Sequence, residues 1–530
     1  MRSVMEHQFS QVPRAEIPRS SFDRSHGIKT TFNAGTLIPI FVDEALPGDT
    51  FHLNAVSFGR LSTPLHPIMD NMCLDYFFFS VPIRLVWANF QRFMGEQPNP
   101  GDSTSFLVPQ ITAPAGGFAE DSIYDYYAIP VKIPNIKVNA LHMRAYNLIW
   151  NEWFRDQNLQ TRAIQNTGDG PDAYSDYVIL NRGKRHDYFT SALPWPQKGP
   201  AVSIPFAGQL PVKTIAADNI TTTQPAMRYR NASSGAALSG DQLMGHSTGQ
   251  AAGFAATPGA GQFTAYPSNL YVDLSTTTAV TINQLRQAFQ VQKIYERDAR
   301  GGTRYTELIQ SHFGVTSPDA RLQRPEYLGG GRADLNINPI AQTSNNAASP
   351  TPLGNLAAMG TIHNRGVGFS KSFTEHSVII GMVCARADLN YQAGIDRMWS
   401  RQTRFDFYWP ALAHIGEQVV YSKEIYADGT IADENAFGYQ ERFAEYRYKP
   451  SRITGAFRST RTTGSLDSWH LSQNFSARPL LNAAFIIENP PVSRIVAVTS
   501  EPQFLLDTYF HFRCARPMPV YGVPGNMDRF

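Results

Sequence analysis

The sequence predicts a mainly β protein, an antiparallel β-sandwich, and three observations predict it. Aromatic residues make up 12% of the 530 residues, and 39 glycines and 36 prolines accompany them. Aromatics favour half-buried pleated surfaces, and abundant turn formers favour many short strands over long helices. Period-two alternation of apolar and polar residues occurs near both ends of the chain, so the sheets need the N- and C-terminal halves together.

Residues 1–35 are polar, with prolines at 13 and 18, and read as an extended N-terminal arm. Its charges are mixed: Arg2, Arg14, Arg19, Arg24 and Lys29 stand against Glu6, Glu16 and Asp23. Two readings stand: an arm draped on solvent or a partner, or one whose Arg14, Arg19, Arg24 and Lys29 touch phosphates. From residue 36 the strand signals begin. In Thr50–Phe58, Phe51, Leu53 and Ala55 point one way and His52 and Asn54 the other. Met72–Val81 is apolar at nearly every position, as expected for a strand covered on both faces. Further strands are expected at Phe373–Ala387, Arg404–Tyr408 and Glu441–Tyr448. In Phe504–Arg516 the even positions from Phe504 to Cys514 form an apolar face, and Asp507, Tyr509, His511 and Arg513 form the other.

Helices are few. Leu141–Phe154 carries Leu141, Ala145, Leu148 and Ile149 on one stripe. Thr281 followed by Gln284 is a capping-box pattern opening a second helix, whose stripe of Leu285, Ala288, Phe289 and Tyr295 is expected to be core; Gly301-Gly302 ends it. A third runs over Tyr305–Phe313 to Gly314. The triple glycine at 329–331 reads as a turn, because no Gly-Lys-Ser/Thr ending follows it. Residues 231–265 are rich in Gly, Ala, Ser and Thr with Asp241 as the single charge, and read as a long exposed loop. Recognition and a plain surface excursion are both open to it. Residues 341–360 read as a second, shorter loop.

Only 17% of residues are charged, against roughly 25% in ordinary soluble domains, which points to surface that faces other protein or to a large core. The net charge of +2 marks no polybasic condenser of nucleic acid. Three separated cysteines, Cys73, Cys384 and Cys514, fit a reducing compartment and small buried hydrophobes. No apolar run is long enough to span a bilayer, so no membrane insertion is expected. There is no H-E-x-x-H, no cysteine ligand set, no EF-hand loop and no G-x-S-x-G elbow, so neither metal nor cofactor is expected and the chain reads as a non-enzyme. Glu375-His376 and His186-Asp187 resemble acid–base pairs, but neighbours on a strand point to opposite faces. Arginine alternates with aromatics in Arg442–Arg452 and Arg494–Arg516; a base-stacking groove and a sandwich face closed by Arg over Tyr both fit.

Several blocks together resemble the major capsid proteins of gokushoviruses, the microvirus group of small single-stranded DNA phages. They are RSSFDRSHGIKTTFNAGTLIPIFVDEALPGDTF (Arg19–Phe51), LSTPLHPIMDNMCLDYFFFSVPIRLVWANFQRFMGE (Leu61–Glu96), YFTSALPWPQKGP (Tyr188–Pro200), the run from Gln284 to Gly330, and FHFRCARPMPVYG (Phe510–Gly522). The resemblance implies an eight-stranded jelly roll with long inter-strand insertions over residues 36–530. It implies one copy per icosahedral asymmetric unit (T=1), pentameric assembly, and a virion built in the bacterial cytoplasm around a circular single-stranded DNA genome. Implied partners are further copies of the chain, a small basic DNA-binding phage protein, internal scaffolding and pilot proteins, and a host surface receptor. A threefold protrusion is expected from the insertion at 207–282, with its tip near 231–265. Receptor-contact candidates there are Ser233, Ser234, Asp241, Gln242, His246, Gln250 and Phe254. Two other classes remain in view: a carbohydrate-binding or carbohydrate-active jelly-roll protein, and a trimeric viral attachment protein. Closed particles of the purified chain, as against a lone monomer or trimer, separate the three.

Overall fold

The computed structural model describes residues 18–202, 212–214, 229–231, 244–245, 253–254, 265–267, 270–272, 282–316, 323–344 and 353–521. Nine principal strands are β1 (Ser20–Asp23), β2 (His26–Phe32), β3 (Ile38–Ala45), β4 (Thr50–Leu61), β5 (Met72–Pro82), β6 (Glu326–Ala341), β7 (Leu356–Ser372), β8 (Ser377–Ala387) and β9 (Phe504–Arg516). All pair antiparallel, in the order β1–β9–β4–β7–β6–β5–β8–β3, with β2 continuing β1 along β9.

The two longest strands show how this path becomes a sandwich. The first half of β6 (Arg332↔Asp75, for example) pairs with β5, while its second half, Leu335–Ala341, pairs with Leu356–Ile362 of β7. The rest of β7 pairs with β4. One sheet therefore contains β1/β2, β9, β4 and β7, the other β6, β5, β8 and β3, and the two join through the far end of a long hairpin. This is an eight-stranded jelly roll. Its core lies between the sheets. Phe51 and Leu53 of β4 and Phe504, Phe510 and Phe512 of β9 meet Tyr76 and Phe78 of β5, Ile379 and Val383 of β8 and Phe41 of β3. Phe512 sits edge-on to both Phe51 and Phe41, with ring centroids 4.9 and 5.4 Å apart.

Alternation tells the two sheets apart. Along β4 and β9 every second residue is buried, so the first sheet has one face on the core and one in solvent. Every residue of β8, and every residue of β5 except Phe77, is buried. Their second face (Phe79, Val81, Val378, Ile380, Met382) carries another core, built with Val86, Trp87, Tyr146 and Ile149 of the segment after β5. Helix α1 (Leu141–Ile149) belongs to this layer, and the chain runs on through a π-turn at Trp150–Phe154. A third cluster, around Phe189, Val420, Ile425, Phe437 and Phe485, holds the insertion between β8 and β9. All three cysteines are free and buried.

Residues Gly199–Glu296 form a separate compact unit. Its described pairs are concentric: Val212–Thr214 with Leu270–Val272, Tyr229–Asn231 with Ala265–Pro267, and Met244–Gly245 with Gly253–Phe254. Helices α2 (Ile282–Arg300) and α3 (Tyr305–Phe313) follow, and Gly314 closes α3 in the left-handed region at φ +70°. Thr281, the expected cap of α2, lies outside the described residues.

Several expectations are corrected. Residues 20–32 are two strands on the edge of the first sheet, because β9 offers them its free backbone edge. The triple glycine is no turn: it lies inside β6, opposite Phe78, Phe77 and Tyr76. A Cβ on Gly330 would stand 2.2 Å from the Tyr76 carbonyl oxygen, and one on Gly329 2.5 Å from that of Gly368. Close approach of backbones, not turning, needs glycine there. Arg404–Tyr408 and Glu441–Tyr448 are not strands. Thr403 and Asp406 cap a 3-10 turn at Arg404–Asp406, and Phe443 at φ +62° breaks the extended run just after a short strand ending at Glu441. The Phe373–Ala387 strand begins at Ser377, since the Phe373 amide turns to the Asp49 carbonyl. Of the expected 341–360 loop, Ala341 and residues 356–360 belong to hairpin strands, and residues 345–352 lie outside the described residues. The stripe of α2 is not core within this chain: Phe289 is 66% exposed.

Candidate functional site

Three of the four candidate phosphate contacts of the arm are already engaged. Arg19 donates through Nη2 to the Gly48 carbonyl at 2.7 Å and to Thr50 Oγ1 at 3.2 Å. Arg24 makes a two-pronged pair with Asp43, its Nη2 lying 3.0 Å from Oδ1. Lys29 Nζ donates to Asp507 Oδ2 at 2.7 Å, across from β9. Arg14 lies outside the described residues. The structure places Lys29 and Arg19 at the surface, so their pairs are open to solvent and to exchange for another anion.

Lys29 is one member of a larger surface. The outer face of the first sheet presents His52, Asn54, Phe58 and Arg60 from β4, His363 and Arg365 from β7, and Tyr509, His511 and Arg513 from β9, all exposed. Sheet register sets them side by side: His52 opposite Arg513, Phe58 opposite both Asp507 and His363. The Phe58 and His363 rings lie 5.0 Å apart, those of Tyr509 and His511 4.9 Å. Asp23 and Asp507 stand on the strands among them, and the Ser25 hydroxyl holds Asp23 below its ordinary range, with help from the Ser25 amide and Arg513. At one end of this platform of rings and cations, Lys29, Phe58, Arg60 and Asp507 line a pocket of about 580 Å³ together with Asp121, Asp125 and Tyr126. Sequence alternation in Phe504–Arg516 locates one strand of the platform; the contributions of β4 and β7 need the sheet order.

The other candidate pairs are structural. Glu375 accepts from Arg84 Nε at 2.8 Å. Asp187 Oδ1 accepts the backbone amides of Phe189 and Thr190, both within 2.9 Å, so it shapes a turn. In Arg442–Arg452, Arg442 lies over Phe443, while Tyr446 lies beneath Arg401, 4.2 Å from the ring centroid. Among the described residues no three His, Cys, Asp or Glu side chains gather to hold a metal ion. No described helix is long and apolar enough to cross a membrane.

Of the attachment candidates, Ser233, Ser234, Asp241, Gln242, His246 and Gln250 lie outside the described residues. Phe254 falls in the innermost strand pair, opposite Met244.

A jelly roll with long insertions and a broad exposed ring-and-cation face is an architecture that viral coat proteins use. The comparisons fix the family. Residues 10–526 match the model of the phage family described as Capsid protein (F protein), and the chain belongs to that family. It is 49% identical over 530 residues to the Capsid protein VP1 of Bdellovibrio phage phiMH2K, covering 99% of this chain and 98% of the relative. To the Capsid protein VP1 of Chlamydia phage 1 it is 45% identical over 99% of this chain and 98% of the relative. To that of Spiroplasma virus 4 it is 37% identical over 98% and 97%. Membership makes the chain a structural capsid protein and not an enzyme.

Proposed function

We propose that this chain is the single major coat subunit of a gokushovirus-type particle, a T=1 icosahedral shell assembled from pentamers in the bacterial cytoplasm around a circular single-stranded DNA genome. The observation that carries this is the joint one: an eight-stranded jelly roll whose sequence matches capsid proteins from end to end. Exposed Trp399, Phe405, Phe407 and Tyr408 support subunit contacts, because Trp, Tyr and Arg dominate the energetic centres of protein interfaces. Many modest interfaces closed by symmetry hold a shell without any strong single contact.

The genome faces the outer platform of the first sheet, where Lys29, Arg60, Arg365 and Arg513 stand among Phe58, Tyr509 and three histidines. Such a surface meets phosphates and stacks bases without reading sequence. With a net charge of only +2, the subunit leaves most charge neutralisation to a small basic DNA-binding protein. Scaffolding and pilot proteins act during assembly. The Gly199–Glu296 unit forms a threefold protrusion with a receptor-contact tip near Ser233, Ser234, Asp241, Gln242, His246, Gln250 and Phe254; the strand pairs of the unit, nested one inside another along the sequence, support this.

Electron microscopy of the purified chain, alone and with its phage partners, tests the shell: closed particles are expected, and a stable monomer or lone trimer under all conditions overturns it. Deleting residues 235–260 is expected to leave particles intact and to lower attachment. Loss of particles would make the segment an assembly contact. Arg60→Ala with Arg513→Ala should lower the DNA content of particles, and an unchanged content removes this face as the genome contact.

A further inference from the structure

The insertion between β8 and β9 presents a bare aliphatic side chain and, beside it, an apolar groove. The side chain is Ile431, 94% exposed, the barest large hydrophobic among the described residues. Its loop is held firmly. Asp428 Oδ1 accepts the Thr430 amide at 3.0 Å, and Asp433 Oδ2 accepts the Gly429 amide at 2.9 Å, with Gly429 in the left-handed region at φ +79°. Arg478 Nη2 clamps both carboxylates, 2.7 Å from Asp428 Oδ1 and 2.8 Å from Asp433 Oδ1. Ile425 and Phe437, on either side of the loop, are buried in the third core. An aliphatic side chain fixed in water forgoes the stabilisation of burial, and an anchor this rigid loses little freedom when it docks.

The groove, of about 410 Å³, has an apolar lining of Phe475, Pro479, Leu480, Ala484 and Ile487, with Leu480 67% exposed. Its floor is fixed by Phe485, which belongs to the same third core as Ile425 and Phe437. The two rims are complementary in charge. Around Ile431 stand three carboxylates, Asp428, Asp433 and Glu434, against two cations, Arg478 and Lys423. The described residues that line the groove include no Asp or Glu; they offer the buried Lys184 and the amides of Asn474, Asn482 and Asn489. Arg478 clamps the loop, and the next two residues, Pro479 and Leu480, are groove wall, so knob and groove lie side by side on one patch. A closed ring of copies needs its two complementary surfaces on separate flanks of the subunit, whereas adjacent ones pair reciprocally about a twofold.

We propose that a second copy of this chain covers this patch, Ile431 of each copy entering the groove of the other with its carboxylates turned to the amide rim and Lys184. The pairing rests on the shell reading for the presence of a neighbour; its geometry rests on the patch alone. A surface loop with no partner has no use for an aliphatic side chain clamped at its apex.

Two singly substituted full-length chains, Ile431→Cys and Leu480→Cys, co-expressed with the phage partners and mildly oxidised, test this by non-reducing electrophoresis. The mixture should give covalent dimers that join one chain of each kind; Cys73, Cys384 and Cys514 are buried, which keeps the background low. The doubly substituted chain should stop at dimers, and a ladder of larger species overturns the reciprocal pairing. Ile431→Asp, at a position too exposed to disturb the fold, should lower the yield of closed particles at least about tenfold, and Ile431→Leu should keep it, since burial of one aliphatic side chain is worth that much. Closed particles without mixed dimers, or closed particles from Ile431→Asp in parental yield, overturn the contact and leave the shell standing. Mixed dimers without closed particles refute the shell and keep the contact.

Discussion

Arg144 and Asp172 form a fully buried ion pair beneath the second sheet, and its removal from one side is the sharpest probe of how the segment after β5 is held. Arg144 Nε and Nη2 each lie 2.7 Å from an Asp172 oxygen, and Nη1 donates to the carbonyls of Val86 at 3.0 Å and Gly168 at 2.8 Å. Tyr177 Oη also donates to Asp172. Arg144→Met keeps the volume but strands a carboxylate and two carbonyls in the interior. Breaking a buried pair from one side costs roughly 3–5 kcal/mol, a large part of a domain's usual ~5–15 kcal/mol. Arg144→Met with Asp172→Leu removes both charges and should recover most of the loss. Urea denaturation followed by near-ultraviolet circular dichroism measures both. The pH dependence adds a check. Burial pushes the Asp172 carboxyl up, but Arg144, with Tyr177, outweighs it and holds it below the ordinary range. A depressed carboxyl contributes stability above its unfolded value of about 3.9 and loses it as pH falls through the folded value. In Arg144→Met only the Tyr177 and Asn166 hydrogen bonds still oppose burial, so the gap to the parent should narrow as the solution is acidified. A single variant costing under about 1 kcal/mol, or a double variant worse than the single, would refute the reasoning.

Gly330→Val should prevent β6 from seating against Tyr76 and give insoluble chain, whereas the same change at Gly354, where an added Cβ has open space but φ is +82°, should yield folded protein with only backbone strain; soluble yield distinguishes them. Lys184, brought down to about 8 mainly by burial, binds fewer protons folded than unfolded between there and its free value of about 10.4. Stability should therefore rise with pH across that window, and Lys184→Met should flatten the rise in urea midpoints. Arg24→Ala should leave Asp43 unpaired and lower thermal stability by about 1 kcal/mol without altering DNA content, since its guanidinium is engaged within the chain.

Strand type was legible wherever burial has a simple rule. β5 and β8 read as continuous apolar runs because both faces are covered, and β4 and β9 as alternations because only one is. The failures have physical causes as well. Arg404–Tyr408 has strand-like composition, yet the Thr403–Asp406 capping interaction wins locally. The glycines of β6 look like punctuation until the Tyr76 carbonyl is seen to press on Gly330. The basic platform was half legible: Phe504–Arg516 shows its odd-numbered face, but nothing in the sequence sets His363 beside Phe58. The ion network around Asp75 was invisible, because Arg182 and Arg332 reach that carboxylate from distant segments.

The order of strands carries a consequence for how the particle protein is made. β9 lies between β1/β2 and β4, so Ser20 meets Arg516 and Phe51 meets Cys514. Phe504, Phe510 and Phe512 from β9 fill the space between the sheets, and the hydroxyls of Ser57 and Thr508 satisfy each other there at 3.0 Å. Until the last strand arrives, β4 keeps a bare edge and an open apolar face, the arrangement most prone to pair with another chain. Contacts of such sequence separation form late and slowly. The second sheet differs, because β5, β8 and β3 pair among themselves and β5 and β8 carry the second core on their far face. A chain truncated after residue 500 should therefore keep protease protection around Val378–Met382 while aggregating through β4. Equal protection of both sheets in that truncation, with no aggregation, would mean that β9 is dispensable for closing the sandwich.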